Sequence, residues 1–274
     1  MRITHYIVLA ALFVLLNLSS YSQDSTQLSS LPTIYTVHID AVMLSLMQRF
    51  EQLDAAQVHA RNEILREHNL PVTPSYEFST SDGLYFSLRG RKSYTEFDQR
   101  PNYPDDVRKL MNEKVNPYSD TVHTLLRIHH NEIWLLDPKG SYIPRKFNPD
   151  PWVNKYLHLR SEWVKPPMNA TYDSILTRFR AALDKQKYPF ACIVFYSQYG
   201  TGANHYLWHA RNHAEFLKES SPEQILVGAY GSDEGEKLYQ EWQDCLFRAE
   251  DIDADVRPEL TDLRKEQTWL DIKR

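Results

Sequence analysis

Two stretches of the chain, 63–72 and 181–190, read alike. Glu63 to Val72 is a helix end running into Pro71, which opens a strand, and Ala181 to Phe190 does the same about Pro189. Tyr76 to Gly83 and Phe195 to Gly202 follow as aromatic strands that enter glycine-containing hairpin turns. Leu84 to Gly90 then corresponds to Ala203 to His209 as a returning strand, and Glu96-Phe97 to Glu215-Phe216 in a short helix. The offset stays at 118 to 119 residues across this stretch. A period this long predicts one supersecondary unit built twice.

Upstream, each half has a strand and then a helix. Ile34 to Asp40 alternates Tyr35, Val37 and Ile39 with Thr36, His38 and Asp40, and Leu157 to Trp163 alternates Leu157, Leu159 and Trp163 with His158, Arg160 and Glu162. Period two with one apolar side predicts a half-buried strand. Helices are predicted over about Met43 to His68 and Ala170 to Lys187, from apolar residues at helical spacing. Ile225 to Tyr230 reads as a further strand of the second half, whereas Asp105 to Lys114, its counterpart by position, is charged and does not. Ser119 to Leu136 and Ser232 to Arg248 read as closing helices, with a hairpin as the alternative for Leu125 to Leu136.

Strand-helix-strand-strand-helix-strand twice in one chain resembles the ferredoxin-like dimeric α/β-barrel superfamily, which includes the NIPSNAP-like, EthD-like and antibiotic-monooxygenase-like proteins. Ser93-Tyr94-Thr95-Glu96-Phe97 looks like the short helix that follows the third strand there. The resemblance implies an α+β fold of two tandem βαββαβ repeats, 33–148 and 152–265, packed sheet to sheet as an intrachain barrel around a cavity, with no oligomer required. Asn148-Pro149-Asp150-Pro151 marks the linker. Activities in the superfamily run from cofactor-free oxygenation through haem chemistry to ligand binding, and fold does not choose among them.

Met1 to Ser22 reads as a secretory signal peptide: Arg2, the apolar run Ile7 to Leu16, then Ser20-Tyr21-Ser22. The run is too short to span a bilayer. An uncleaved anchor is the other reading. No Cys follows, so no lipid attachment is expected. The expectation is a periplasmic or secreted protein without a membrane span after cleavage. It has a disordered polar spacer over 23–32 and a tail over 266–274. An oxidising compartment permits a Cys192–Cys245 disulfide, and two small buried thiols explain the same residues. A net charge of -5 with dispersed Lys and Arg excludes a broad nucleic-acid footprint.

His205, His209 and His213 would suit zinc on one face of a helix. The repeat instead puts the first two on a strand and the third on the next helix, so no metal site is expected there. Gly200-Thr201-Gly202 lacks the further glycine or Gly-Lys-Ser/Thr of a nucleotide loop and reads as a hairpin turn. Ser197, Ser141 and Cys192 lie in no nucleophile elbow. His129-His130-Asn131-Glu132 lacks the second spaced His of a zinc helix and reads as an exposed helix turn.

What remains is the polar side of the first strands. If helices cover the apolar sides, His38, Asp40, Arg160 and Glu162 face one cavity between the sheets, with Thr36 and His158 beside them. Glu77 and Tyr196 hold equivalent hairpin positions, as do Arg89 and Trp208. The predicted function is an exported protein binding a small polar-aromatic ligand through His38, Asp40, Glu77, Arg89, His158, Arg160, Glu162, Tyr196 and Trp208, without cofactor or metal. One alternative is a cofactor-independent oxygenase or isomerase using His38 or His158 as general base. The other is a structural protein whose barrel is filled by side chains.

Overall fold

Alternating sequences give strands that here leave no sheet edge. In the computed structural model eight strands close into a barrel in the order β1-β3-β2-β8-β5-β7-β6-β4. The structure describes Leu28 and residues 31–72, 75–91, 93–97, 102–148 and 150–261. The first elements are β1 (Ile34–Val42), α1 (Met47–Glu67), β2 (Tyr76–Thr80), β3 (Leu84–Arg91), α2 (Asp105–Lys114), α3 (Asn116–His123) and β4 (Leu126–Leu136). They are followed by β5 (Tyr156–Val164), α4 (Asn169–Gln186), β6 (Ala191–Tyr199), β7 (Asn204–Ala210), α5 (His213–Phe216), α6 (Pro222–Tyr230), α7 (Ser232–Cys245) and β8 (Leu246–Val256). Every pairing is antiparallel. The fold is α+β, an eight-stranded antiparallel barrel with seven α-helices among the described residues.

The helices end as their sequences dictate. Asn69 and Lys187 adopt left-handed φ of 54° and 52°. Beside them Leu70 N bonds Leu65 O and Tyr188 N bonds Leu183 O, the return bond of a Schellman cap. Gly83, at φ 90°, turns β2 into β3, and a Cβ there would lie 2.4 Å from Val42 O.

Three element assignments differ from the sequence reading. Ile225 to Tyr230 lies in helix α6, not a strand. Ser221 and Gln224 form a capping box, with Pro222 in the first turn, and together they commit the apolar run to a helix. Asp105 to Lys114, which does not read as a strand, is indeed not one but a helix. Leu126 to Leu136 is a single long strand rather than a closing helix, and the helix from Ser232 stops at Cys245, where β8 begins. Leu28 and Leu31, read as spacer, are buried with the barrel core. Residues 1–22 and 266–274 lie outside the described residues. Among those described, no helix is long and apolar enough to cross a membrane. Cys192 and Cys245 are buried free thiols.

The core cluster decides which face of each strand points inward. Tyr35, Val37, Ile39, Phe78, Phe86, Leu88, Trp134, Leu157, Leu159, Ile193, Phe195, Leu207 and Val256 pack together, drawn from all eight strands and from none of the seven helices. That cluster is the barrel interior. The apolar parity of β1 and β5 therefore faces the lumen and the polar parity faces the helix layer, the reverse of the sequence expectation. The reason is capacity: an eight-stranded barrel is just wide enough for its own side chains to fill. The lumen is therefore the driest space available. It keeps about 20 Å³ between Tyr35, Tyr76, Ile193, Phe195 and His209, room for one water and no more.

Candidate functional site

Outside the barrel the two helix layers differ. Over β5–β8 the space under α4, α6 and α7 is packed solid by Tyr172, Phe179, Tyr206, Trp208, Trp242 and their neighbours. Over β1, β3 and β2 it is not. A cleft of about 130 Å³ remains between the outer sheet face and helices α1 and α3. His38 and Asp40 enter it from β1, Glu77 from β2, Tyr85, Ser87 and Arg89 from β3, Phe50, Asp54, Gln57 and Arg61 from α1, and Ser119 and His123 from α3. Period two on the strands and period 3.6 on α1 bring these residues to one space.

The charged groups inside are partnered. Glu77 Oε1 accepts from Ser75 Oγ and Ser87 Oγ, each at 3.0 Å. His38 Nδ1 lies 2.7 Å from Asn131 Oδ1, and His38 Nε2 lies 3.5 Å from Asp40 Oδ2. His129 Nδ1 donates to Asp40 Oδ1 at 2.8 Å. The bond to Asp40 holds the His38 imidazolium above the usual histidine range, although burial opposes it. Burial works to raise the Asp40 carboxyl, but the hydrogen bonds and charges of His38 and His129 outweigh it and leave it below the ordinary value.

Four of the sequence-predicted residues, His38, Asp40, Glu77 and Arg89, thus share the cleft. The others do not join them. β5 stands four places from β1 around the eight-strand ring, so Arg160 and Glu162 occupy the opposite wall and also point outward. The shared cavity expected for His38, Asp40, Arg160 and Glu162 is absent. Arg160 Nε donates to Glu162 Oε1 at 2.6 Å and Nη1 to Asp251 Oδ2 at 2.8 Å, a strut across β5 and β8. Trp208 is buried in the helix-side core and Tyr196 is 45% exposed on β6. Of the two histidines read as general bases, His38 lines this cleft and His158 does not.

His158 sits between Asp251 and Asp253 at 3.1 and 2.9 Å, with Phe216 stacked over it at 4.9 Å. Burial pulls its pKa down, but the hydrogen bonds and charges of the two aspartates leave it raised, and both aspartates are lowered in return. A raised histidine contributes stability that is complete below its unfolded pKa of about 6.5 and is lost as pH rises through the folded value. Wild-type protein is accordingly expected to lose more stability between pH 5.5 and 8.5 than His158→Gln. Equal losses of stability in the two proteins, read from urea midpoints at pH 5.5 and 8.5, would show that the cluster carries no linkage.

His205 and His209 on β7 point into the lumen, where His205 stacks on Trp134 at 4.0 Å and His209 meets Tyr76 Oη at 3.1 Å. His213 lies outside, against Tyr156. The three imidazoles diverge. Gly200 and Gly202, at φ 135° and 69°, form the turn between β6 and β7. Ser141 Oγ is spent on the backbone of Asp137 and Val194. The residues that sequence reasoning missed are His129 and Asn131, read as a helix turn. On a strand, period two puts both on the face of His38 and Asp40, and the signal was the β-forming content of Ile128, Ile133 and Trp134.

No family model matches the chain, and no curated protein does. Solved structures do. A candidate monooxygenase from Fusobacterium nucleatum superposes with a TM-score of 0.53 at 8% identity, over 82% of this chain and 93% of that one. Another, from Lactobacillus acidophilus, gives 0.50 at 8% identity over 85% and 95%. An anthrone oxidase-like protein gives 0.48 at 10% identity over 85% and 94%. At such identities the likeness establishes the fold, that of the ferredoxin-like α/β barrels.

Proposed function

We propose that the chain is an exported protein of two tandem ferredoxin-like units, 33–148 and 152–265, that takes a small polar-aromatic ligand in the cleft under α1 and α3. The observation that carries the reading is the asymmetry of the two helix layers: the second is filled with aromatic side chains, while the first keeps a cleft of about 130 Å³ lined by groups of both charge signs. The tilted pair Phe50 and Tyr85, 4.5 Å apart, offers an aromatic wall. A space below the roughly 300–1,000 Å³ of drug-sized sites suits an occupant of few heavy atoms. The tandem reading draws support from the matching caps at Asn69 and Lys187, 118 residues apart. The strand orders β4-β1-β3-β2 and β8-β5-β7-β6 support it too. Export rests on the character of residues 1–22.

The test is native mass spectrometry of purified protein beside Gln57→Trp, which fills the cleft from α1. A small molecule is expected on the wild type and not on the variant. Returned to stripped protein at one hundred times its Kd, it should stabilise the wild type by about 2.7 kcal/mol. A bare mass for both proteins, with no thermal shift from small polar aromatics, would sink the reading. A second reading, oxygenase or isomerase chemistry in the same cleft, draws on the names carried by the two fold neighbours with TM-scores of 0.53 and 0.50. It predicts that the recovered molecule is converted in air by wild-type protein and not by Gln57→Trp.

A further inference from the structure

We infer that His38, Asp40 and His129 form a site for one borderline-soft divalent cation such as zinc. The register of β1 and β4 makes the site. Asp40 lies directly opposite His129 and His38 directly opposite Asn131, so all four side chains leave the barrel on one face. One ring nitrogen of each histidine and one Asp40 oxygen lie within 4.8 Å of one another. The rings meet edge to face with centroids 4.3 Å apart. Bonds of about 2.1 Å in a tetrahedron hold ligand atoms about 3.4 Å apart. Asp40 Oδ2 and His38 Nε2 already stand at 3.5 Å. His129 Nδ1 stands 2.8 Å from the other oxygen, Oδ1, so an ion between the rings takes both carboxylate oxygens or draws His129 toward Oδ2 as its proton leaves.

A second observation is independent of that spacing. Asn131 Oδ1 can only accept, so His38 Nδ1 donates the bond of 2.7 Å between them. Nε2 is thereby turned toward Asp40 Oδ2 at 3.5 Å, where it carries a proton in the metal-free chain and offers a lone pair to a cation that displaces that proton. A histidine whose far nitrogen is tied to an oxygen acceptor is also how ligating imidazoles are oriented. Two nitrogens and one oxygen suit zinc, iron(II) or cobalt(II), whereas calcium and magnesium require mostly oxygen ligands.

Three ligands leave a position open. His123, at the end of α3, stands with its ring 5.6 Å from that of His129 and borders both the cleft and an open surface depression through which an ion can enter. The inference uses the cleft proposed above only for what the open position faces, and its test involves no organic ligand.

Chelator-treated full chain is titrated with zinc chloride by calorimetry, and with cobalt(II) by absorption. One ion per chain is expected, with a cobalt spectrum of nitrogen and oxygen ligation and no thiolate band. Asp40→Asn and His129→Gln should each weaken zinc by about 100-fold or more, and Asn131→Leu, which frees the His38 ring, by about 10–100-fold. Thermal unfolding without metal checks that the variants are folded. His213→Gln, at the separate cluster with Asp253, should change nothing. Wild-type protein that ignores micromolar zinc, leaving a proton to bridge His38 and Asp40, would overturn the site. So would binding that survives both Asp40→Asn and His129→Gln, or that disappears with His213→Gln. A ligand-free cleft with intact zinc stoichiometry would end the cleft reading alone.

Discussion

Glu162→Ala is expected to cost about 3–5 kcal/mol of folding stability, the usual price of removing one partner from a buried ion pair. Glu162 is 0% exposed. Its Oε1 accepts from Arg160 Nε at 2.6 Å, and its Oε2 accepts from Tyr172 Oη at 2.8 Å and Trp242 Nε1 at 2.9 Å. Those donors come from β5, α4 and α7, so one carboxylate ties the strand to two helices. With alanine, Arg160 keeps only Asp251, which is 46% exposed, and Trp242 Nε1 is left in a dry core without an acceptor. Glu162→Gln keeps an acceptor oxygen and should lose less. Asp251→Asn removes a partner that water already screens and should cost at most about 1 kcal/mol. Urea midpoints at unchanged m-value measure all three. A loss below about 1 kcal/mol for Glu162→Ala would mean that the helix layer is held by packing alone.

The same carboxylate shows where the sequence stops being informative. Alternation on β5 says that His158, Arg160 and Glu162 share a face, and they do. It does not say whether that face is the lumen or the helix layer, because both are dry and both are lined by aromatics. Only closure of the ring decides, by making the lumen too narrow for anything but side chains. The hairpin of β6 and β7 is legible because its glycines act locally. Ile225 to Tyr230 was misread because six apolar residues carry no period. The deciding signal is the capping box that Ser221 and Gln224 form just upstream. Of the cleft, His38, Asp40, Glu77 and Arg89 could be named from strand parity. His129 and Asn131 could not while their segment was read as a helix, and Arg61 and His123 reach the cleft from helices whose packing partner alternation does not identify.

Trp134→Ala should be comparably severe, at about 3–5 kcal/mol. The indole is 1% exposed, stacked on His205 at 4.0 Å and tilted against Phe195 at 5.8 Å. Its Nε1 donates to Glu132 Oε2 at 2.7 Å, and Glu132 is itself 2% exposed, so alanine both empties the lumen and takes a donor from a buried carboxylate. Trp134→Phe fills most of the volume and should lose mainly the hydrogen bond, about 1–3 kcal/mol. The void has a second readout. His205 Nε2 is buried without a hydrogen-bond partner, and burial pushes the His205 pKa down to about 3. A neutral buried histidine makes the unfolded chain bind more protons between its folded value and about 6.5, so wild-type stability falls with acid across that window. A water admitted beside His205 would hydrate the imidazolium, and its pKa in Trp134→Ala should climb toward the ordinary value, flattening that slope. Imidazole resonances followed by NMR from pH 3 to 7 report it directly. If His205 in the variant stays neutral down to pH 3, the lumen has collapsed around the missing ring rather than opened, and the stability loss should then fall at the low end of the range.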